Sequence, residues 1–137
     1  MVNELWINLP VKNVKRSKEF FTALGFEFSE RGESDHSACL LVGAKKISVM
    51  LFEESVFKTF TRAGLNDTKQ SSEVLFSFDA SDKREVDEMA LKVRSAGGTI
   101  YSEPQDNQGW MYGFAFLDPD GHRWNMLYMD MNKMPGQ

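Results

Sequence analysis

The chain has 137 residues, 42% of them hydrophobic and 26% charged, which fits one globular domain with a proper core and excludes a large second domain. Its 16 basic residues stand against 20 acidic ones, a net charge of −4, and no segment concentrates the basic residues, so no nucleic-acid partner is expected. No apolar run approaches the ~20 residues of a membrane span, the N-terminus lacks a signal-peptide pattern, and the single cysteine, Cys39, has no disulfide partner. We therefore expect a cytoplasmic protein with no membrane partner.

The first part of the chain predicts elements in the order βαβββ. Residues 5–9 alternate like a strand that Pro10 ends, and residues 14–24 carry a helical apolar stripe. The further strands are predicted at 26–30, 38–42 and 47–52, with "ERGESDH" and "GAKK" as the turns between them.

A connector, residues 55–70, follows and contains a predicted helix, after which the same order returns. The second set is a strand at 73–79, a helix at 82–98 and strands at 99–103, 111–117 and 122–129. We predict an α+β fold in which residues 1–137 form a single domain. Its parts are module 1–54, connector helix 55–70, module 71–130 and a flexible tail, 131–137.

Strand alternation separates an apolar face, suited to packing on helices, from a face that mixes apolar and polar side chains. Mixed linings of this kind are typical of small-molecule cavities. A half-solvated sheet face is the open alternative. The predicted cavity residues on these strands are Trp6, Asn8, Ser48, Met50, Phe52, Glu73, Leu75, Ser77, Arg123, Asn125 and Leu127.

The segment "NQGWMYG" places Trp110 and Tyr112 beside two glycines. These rings could form an aromatic lip over the cavity and are therefore included among its candidate residues. A packed hairpin cluster is the equally open alternative.

Three segments carry a resemblance to a known family: "LPVKNVKRSKEFFTALGFEF", "VRSAGG" and "FAFLDPDGHRWNML". The chain resembles the vicinal oxygen chelate superfamily, which includes glyoxalase I, bleomycin-resistance proteins and extradiol dioxygenases. It is similar in particular to a bacterial subgroup labelled glyoxalase-like or predicted lactoylglutathione lyase. The resemblance implies two βαβββ modules that form a curled mixed sheet around a cavity, often in a homodimer.

The resemblance also implies where a metal would bind, because metal-using members take two His, Glu or Gln ligands from each module. The corresponding positions hold Trp6, Met50, Glu73 and Asn125. An indole N–H only donates, a thioether is a soft ligand, and a neutral amide oxygen is a weak one. One carboxylate in four positions cannot hold a catalytic divalent ion against water. We therefore expect no cofactor, and a divalent metal is disfavoured.

Two functions follow from these observations. The first is binding of an unidentified small molecule without a metal, in the manner of bleomycin-resistance members. The expected partners are that molecule and a second copy of the chain. The alternative is a glyoxalase-like lyase or isomerase, or a dioxygenase-type enzyme, with Glu73 as general base or with a divalent metal. A carboxyl in an apolar cavity can serve as a base near neutral pH. An interaction module without a small ligand is a third class.

Overall fold

Eight strands and three helices make up the described part of the chain, residues 1–136, in a computed structural model. They form two compact units, of which unit 1 spans Met1–Asp67 and unit 2 begins at Thr68. Each unit contains one four-stranded mixed sheet and repeats the order βαβββ. The predicted α+β class and the repeated order are confirmed.

Unit 1 is built on a sheet with strand order β1-β4-β3-β2, in which β1 and β4 run parallel and the other neighbours antiparallel. Its elements are β1 (Ile7–Val11), α1 (Val14–Ala23), β2 (Glu27–Ser34), β3 (Ser37–Val42), β4 (Ile47–Glu53) and α2 (Glu54–Thr61). The Asn13 side chain caps α1 by accepting a hydrogen bond from the Arg16 amide at 3.0 Å. Phe20 and Phe21 are buried on the helix face that contacts this sheet. Burial of each such ring stabilises the unit by about 1.5–3 kcal/mol.

Unit 2 has the corresponding strand order β5-β8-β7-β6, again with a parallel pair, β5 and β8. Its elements are β5 (Leu75–Asp79), α3 (Lys83–Ser95), β6 (Thr99–Asn107), β7 (Met111–Leu117) and β8 (Arg123–Met129). Asp82 caps α3 by accepting from the Glu85 amide at 2.8 Å. Trp124, which is 1% exposed, packs against Phe76 with 4.7 Å between ring centroids, so the predicted apolar face forms the core.

The first strand differs from its prediction at both ends. It begins at Ile7 rather than residue 5, and it continues through Pro10 to Val11. Proline is tolerated there because β1 is an edge strand, paired only with β4, so a missing N–H on the outer side breaks no ladder hydrogen bond.

Two other strands are longer than predicted. The segment "ERGESDH" does not form a long turn, because β2 extends to Ser34 and leaves only residues 35–36 as the turn. Likewise β6 extends to Asn107. Both strands contain register irregularities, and backbone pairing across them outweighs the turn propensity of their polar residues.

The connector helix and the fifth strand are shorter than predicted. Helix α2 ends at Thr61, because Arg62 adopts a left-handed conformation with φ 56°, so the helix occupies only the first part of the predicted connector, 55–70. Strand β5 begins at Leu75, which leaves Glu73 in the segment before it. None of the helices in residues 1–136 is long and apolar enough to cross a membrane. The predicted flexible tail ends at Gln137, which lies outside the described residues.

Candidate functional site

Strand register decides which side chains share the mixed face of each sheet. In unit 1, Met50 lies between Asn8 of β1 and Cys39 of β3. In unit 2, Asn125 lies between Ser77 of β5 and Ala115 of β7. Each sheet therefore carries a row of side chains across its mixed face, and a recess lies on each of these faces.

Recess 1, on the unit 1 sheet, has a volume of about 660 Å³. It is large enough for a small organic molecule. Its lining residues come from the segment before β1, from β2 to β4 and from the turn between β3 and β4: Glu4, Leu5, Trp6, Ser29, Arg31, Gly32, Cys39, Leu41, Lys45, Lys46, Ile47, Ser48, Met50 and Phe52.

The floor of recess 1 is apolar and closely packed. Cys39 is 2% exposed, and Met50 beside it is half-buried. Gly32, with φ 71°, crosses Met50 so closely that an added Cβ would lie 2.9 Å from the Met50 Cε. The Gly32 carbonyl also accepts a hydrogen bond from the Ser37 hydroxyl at 2.6 Å, which fixes this approach.

Recess 2, on the unit 2 sheet, is smaller, at about 340 Å³, and more polar. Ser102, Gln105, Asp106, Asn107, Gly113, Phe114, Ala115, Asn125 and Leu127 line it. The Gln105 amide donates to the Ser102 hydroxyl at 3.1 Å. The Asn125 Oδ1 is buried and has no hydrogen-bond partner within the described chain, so it is an acceptor open to a bound group.

The turn before β8 holds Asn125 in place through a buried carboxylate. Asp118 Oδ1 accepts from the amides of Asp120 and His122 at 2.9 and 3.0 Å, and its Oδ2 accepts from the Trp124 indole at 3.1 Å. Burial raises the pKa of Asp118, although these donors act in the opposite direction. Since Trp124 immediately precedes Asn125, this network sets where β8 begins.

The structure brings six of the predicted cavity residues into the two recesses. Trp6, Ser48, Met50 and Phe52 line recess 1, and Asn125 and Leu127 line recess 2. Asn8 and Ser77 share the mixed faces by register but lie outside both linings, as do Leu75 and Arg123. Trp110 and Glu73 also lie outside them.

Tyr112 does not face recess 2, contrary to the predicted aromatic lip. Its hydroxyl donates to Asp87 of α3 at 2.6 Å, and the Lys83 ammonium lies 5.4 Å from its ring centroid. The hydrogen bond to Asp87 raises the pKa of Tyr112. The ring lies on the helix side because β7 begins at Met111 and alternation puts Tyr112 opposite Tyr128, on the face away from Asn125. Trp110 precedes β7 in the hairpin turn, where its indole N–H is buried without a partner in residues 1–136.

Glu73 is exposed in the segment before β5 rather than in the strand. Arg123, a predicted cavity residue, lies over the Tyr101 ring with 4.7 Å between the guanidinium carbon and the ring centroid. The role of Glu73 as a general base therefore receives no support from burial or from a place in either recess.

Several lining residues were missed by sequence reasoning. Cys39 is noted from the sequence only as a cysteine without a disulfide partner, although alternation within "ACLLV" places it on the same strand face as Leu41. Arg31 was assigned to a turn, and its place in β2 follows from backbone pairing, which the sequence does not display. The basic residues Lys45 and Lys46 were treated only as turn residues.

The residues at the implied metal positions do not fit a divalent ion. Trp6 offers an indole, Met50 a thioether and Asn125 an amide oxygen, while Glu73 lies outside both recesses. Within residues 1–136, no three His, Cys, Asp or Glu side chains are grouped so that they could hold a metal. The two histidines also contribute no such cluster: His36 contacts Glu53 at 2.8 Å, and His122 follows the Asp118 turn.

The chain was compared with curated proteins, solved structures and family models. No curated relative matches the chain. Among solved structures, hypothetical protein SA1046 from S. aureus is 34% identical, with 93% of this chain and 95% of that one covered and a TM-score of 0.84. A glyoxalase/bleomycin resistance protein/dioxygenase family enzyme from Burkholderia phytofirmans PsJN is 17% identical, covers 90% and 96%, and gives a TM-score of 0.77.

The fosfomycin resistance protein FosX from Listeria monocytogenes has the same fold, at 19% identity, 97% and 98% coverage and a TM-score of 0.69. The family model of the Glyoxalase/Bleomycin resistance protein/Dioxygenase superfamily matches residues 5–126. These residues include both βαβββ repeats and both recess-bearing sheets except for the end of β8. The chain therefore belongs to the Glyoxalase/Bleomycin resistance protein/Dioxygenase superfamily.

Proposed function

We propose that this protein binds a small organic molecule on the mixed faces of its sheets and does so without the divalent metal that other family members use. The observation that carries the proposal is the pair of recesses, of about 660 and 340 Å³, whose linings combine apolar walls with a few polar groups. A homodimer and a cytoplasmic location are part of the same proposal, by analogy with the family.

The side chains at the implied metal positions support binding without a metal. Replacing a ligand with an indole at Trp6 and with a thioether at Met50 removes two hard donors from one sheet. Asn125, with its buried and unpartnered Oδ1, keeps a hydrogen-bonding group in the other sheet. A neutral amide can accept from a hydroxyl or amide of the bound molecule, which fixes orientation rather than activating water.

Nothing in the two recesses favours the lyase or isomerase alternative. In the form without a metal, that alternative depends on Glu73 as general base, and Glu73 is exposed. If any substrate is found, Glu73→Gln should leave its turnover unchanged. A loss of at least about 100-fold in kcat with KM unchanged would instead establish Glu73 as the base.

Ligand binding is tested by screening aldehydes, thiol conjugates, aromatic diols and antibiotics for an increase in Tm. A ligand at 100 times its Kd adds about 2.7 kcal/mol to the free energy of unfolding. Ser48→Trp should abolish the increase for a ligand in recess 1, because the indole fills the space. The matched control, Ser95→Trp, places the same ring on the exposed end of α3. Failure of every compound to raise Tm would favour an interaction module instead.

Metal content provides the second test. Protein purified without added metal or chelator should contain far less than one equivalent of Zn, Mn, Fe, Ni or Co by elemental analysis. Added Mn²⁺ or Zn²⁺ should not raise Tm. A stoichiometric divalent ion in the purified protein would overturn the metal-free proposal.

A further inference from the structure

We infer that recess 1 binds an amphipathic anion, whose apolar body rests on the sheet and whose negative group is held by Arg31, Lys45 and Lys46. This inference rests on the proposed binding function and narrows it to one chemical class. The residues that hold the negative group differ from the implied metal positions, since the cations come from β2 and from the turn between β3 and β4.

The charge of recess 1 is opposite to that of the chain. The whole chain carries −4, but the lining of recess 1 contains three basic residues and one acidic residue, Glu4. Glu27 is paired with Leu41 at the outer edge of the sheet, and it lies outside the lining. A positive recess on an acidic protein attracts anions locally while the rest of the surface repels them.

The three basic side chains of recess 1 also differ from other basic side chains of the protein in their ion pairing. Basic side chains elsewhere form ion pairs, such as Lys18 with Glu33 at 2.6 Å and Arg84 with Glu88 at 2.9 Å. Within residues 1–136, Arg31, Lys45 and Lys46 form no ion pair. Their charges are therefore available to a ligand.

Backbone geometry positions two of these cations at the recess. Arg31 lies within the register irregularity of β2, between Ser29 and Ser34, and next to Gly32, which crosses Met50. The Arg31 amide donates to the Ser29 hydroxyl at 3.0 Å, and Ser29 is another lining residue. Lys46 adopts φ 52° in a turn closed by its amide and the Gly43 carbonyl at 2.9 Å.

The remainder of the lining suits the apolar part of such a ligand. Leu41, Ile47, Met50 and Phe52 supply aliphatic, thioether and aromatic surface, and Trp6, which is 54% exposed, adds an indole. Ile47 is 51% exposed despite its apolar side chain. Covering these groups with an aromatic or aliphatic body removes apolar area from water, while the cations satisfy the negative group.

A matched pair of fluorescent probes tests the inference: anilinonaphthalene sulfonate and N-phenylnaphthylamine, which have the same aromatic system with and without the sulfonate. The natively folded protein should bind the sulfonate probe at least about 10-fold more tightly than the neutral one. Raising the salt concentration from about 20 mM to about 500 mM should lower the affinity for the sulfonate probe only, because salt screens the exposed cations.

The Arg31→Gln/Lys45→Gln variant identifies the site. It should lower the affinity for the sulfonate probe by about 10-fold and leave the affinity for the neutral probe unchanged. Lys46 is retained because its left-handed backbone would complicate a substitution. The control, Lys15→Gln/Lys92→Gln, removes the same charge from exposed positions on α1 and α3 and should bind both probes as the parent does.

Competition identifies the negative group. Naphthoate and naphthyl phosphate should displace the sulfonate probe, and the more effective of the two distinguishes a carboxylate from a phosphate ligand. Equal displacement by neutral naphthamide would overturn the inference. So would equal affinity of the parent and double variant for the sulfonate probe. Binding of the neutral probe alone would leave the proposed function intact, whereas failure of both probes and of the ligand screen would remove both proposals.

Discussion

Asn125 shows at the residue scale how one side chain can couple stability to binding. Its Oδ1 is buried in recess 2 without a partner in the described chain. An unsatisfied buried acceptor costs about 1–3 kcal/mol, and a ligand that donates to it would recover part of that cost. Asp118, seven residues earlier in the sequence, is the opposite case, because its two oxygens accept three hydrogen bonds from N–H donors.

Asn125→Leu should make the free protein more stable by about 1 kcal/mol, because it replaces an unsatisfied acceptor with an apolar side chain of similar shape. The same change should weaken any ligand of recess 2 that donates to Oδ1. Denaturant unfolding measures the first effect, and the ligand-induced increase in Tm measures the second. Lower stability of the free variant would show that the amide already has a partner, such as bound water.

Asp118→Asn should lower stability by about 1–3 kcal/mol in acid, where the carboxyl of the parent makes its full contribution, because one N–H donor loses its acceptor. The pKa of Asp118 is raised in the folded state by burial, so the folded protein binds a proton more readily there than the unfolded chain does. Its contribution is therefore fully present below the ordinary aspartate pKa and is lost as pH rises through the raised value. The stability difference between parent and variant should be largest in acid and should fall as pH rises. Urea titrations across that interval provide the measurement, and a constant difference would contradict the assignment.

At the scale of elements, helix α2 differs from α1 and α3 in how it is held. No residue of α2 is buried, whereas α1 and α3 each bury a stripe of side chains. Its aromatic contact joins Phe60, which is 61% exposed, to Phe52 at 5.1 Å between ring centroids. Phe52 also lines recess 1, so α2 and the recess share a side chain.

Amide hydrogens of α2 should exchange with solvent faster than those of α1 and α3, because little apolar burial opposes local opening. Phe60→Ala should increase this exchange further while changing global stability by only about 0.5–1.5 kcal/mol. Hydrogen exchange read by mass spectrometry at peptide resolution tests both statements. Protection of α2 equal to that of α3 would show that another surface covers the helix.

At the scale of the whole molecule, the sequence was sufficient for architecture because periodicity survives in a single chain. The switch from period two to a helical stripe, repeated twice, predicted both βαβββ units and the apolar core faces that contain Val49, Leu51 and Trp124. The strand β7 was predicted with its observed bounds.

The candidate site was less predictable because it depends on pairing partners rather than on local pattern. Arg31 lies between Ser29 and Ser34, where the register of β2 against β3 is irregular, and Tyr112 lies on the face away from recess 2 because of the parity of β7. Glu73 was assigned to a strand that begins two residues later, at Leu75. Strand bounds and register depend on the pairing partners, and a register error of one residue already moves a side chain to the other face of a sheet.

The parallel pairing of first and last strands in each unit has a consequence for synthesis on the ribosome. Strand β1 can pair with β4 only after β4, which ends at Glu53, has been translated. All the strands of the unit 1 sheet are therefore present early in synthesis. Strand β5 can pair with β8 only after β8, which ends at Met129, has been translated. The hydrogen bond from the Thr68 hydroxyl to the Asp120 carbonyl likewise joins groups 52 residues apart in the chain. Unit 2 therefore cannot complete its sheet until Met129 has been translated, and the edge of β5 that pairs with β8 stays exposed from the synthesis of Asp79 until then.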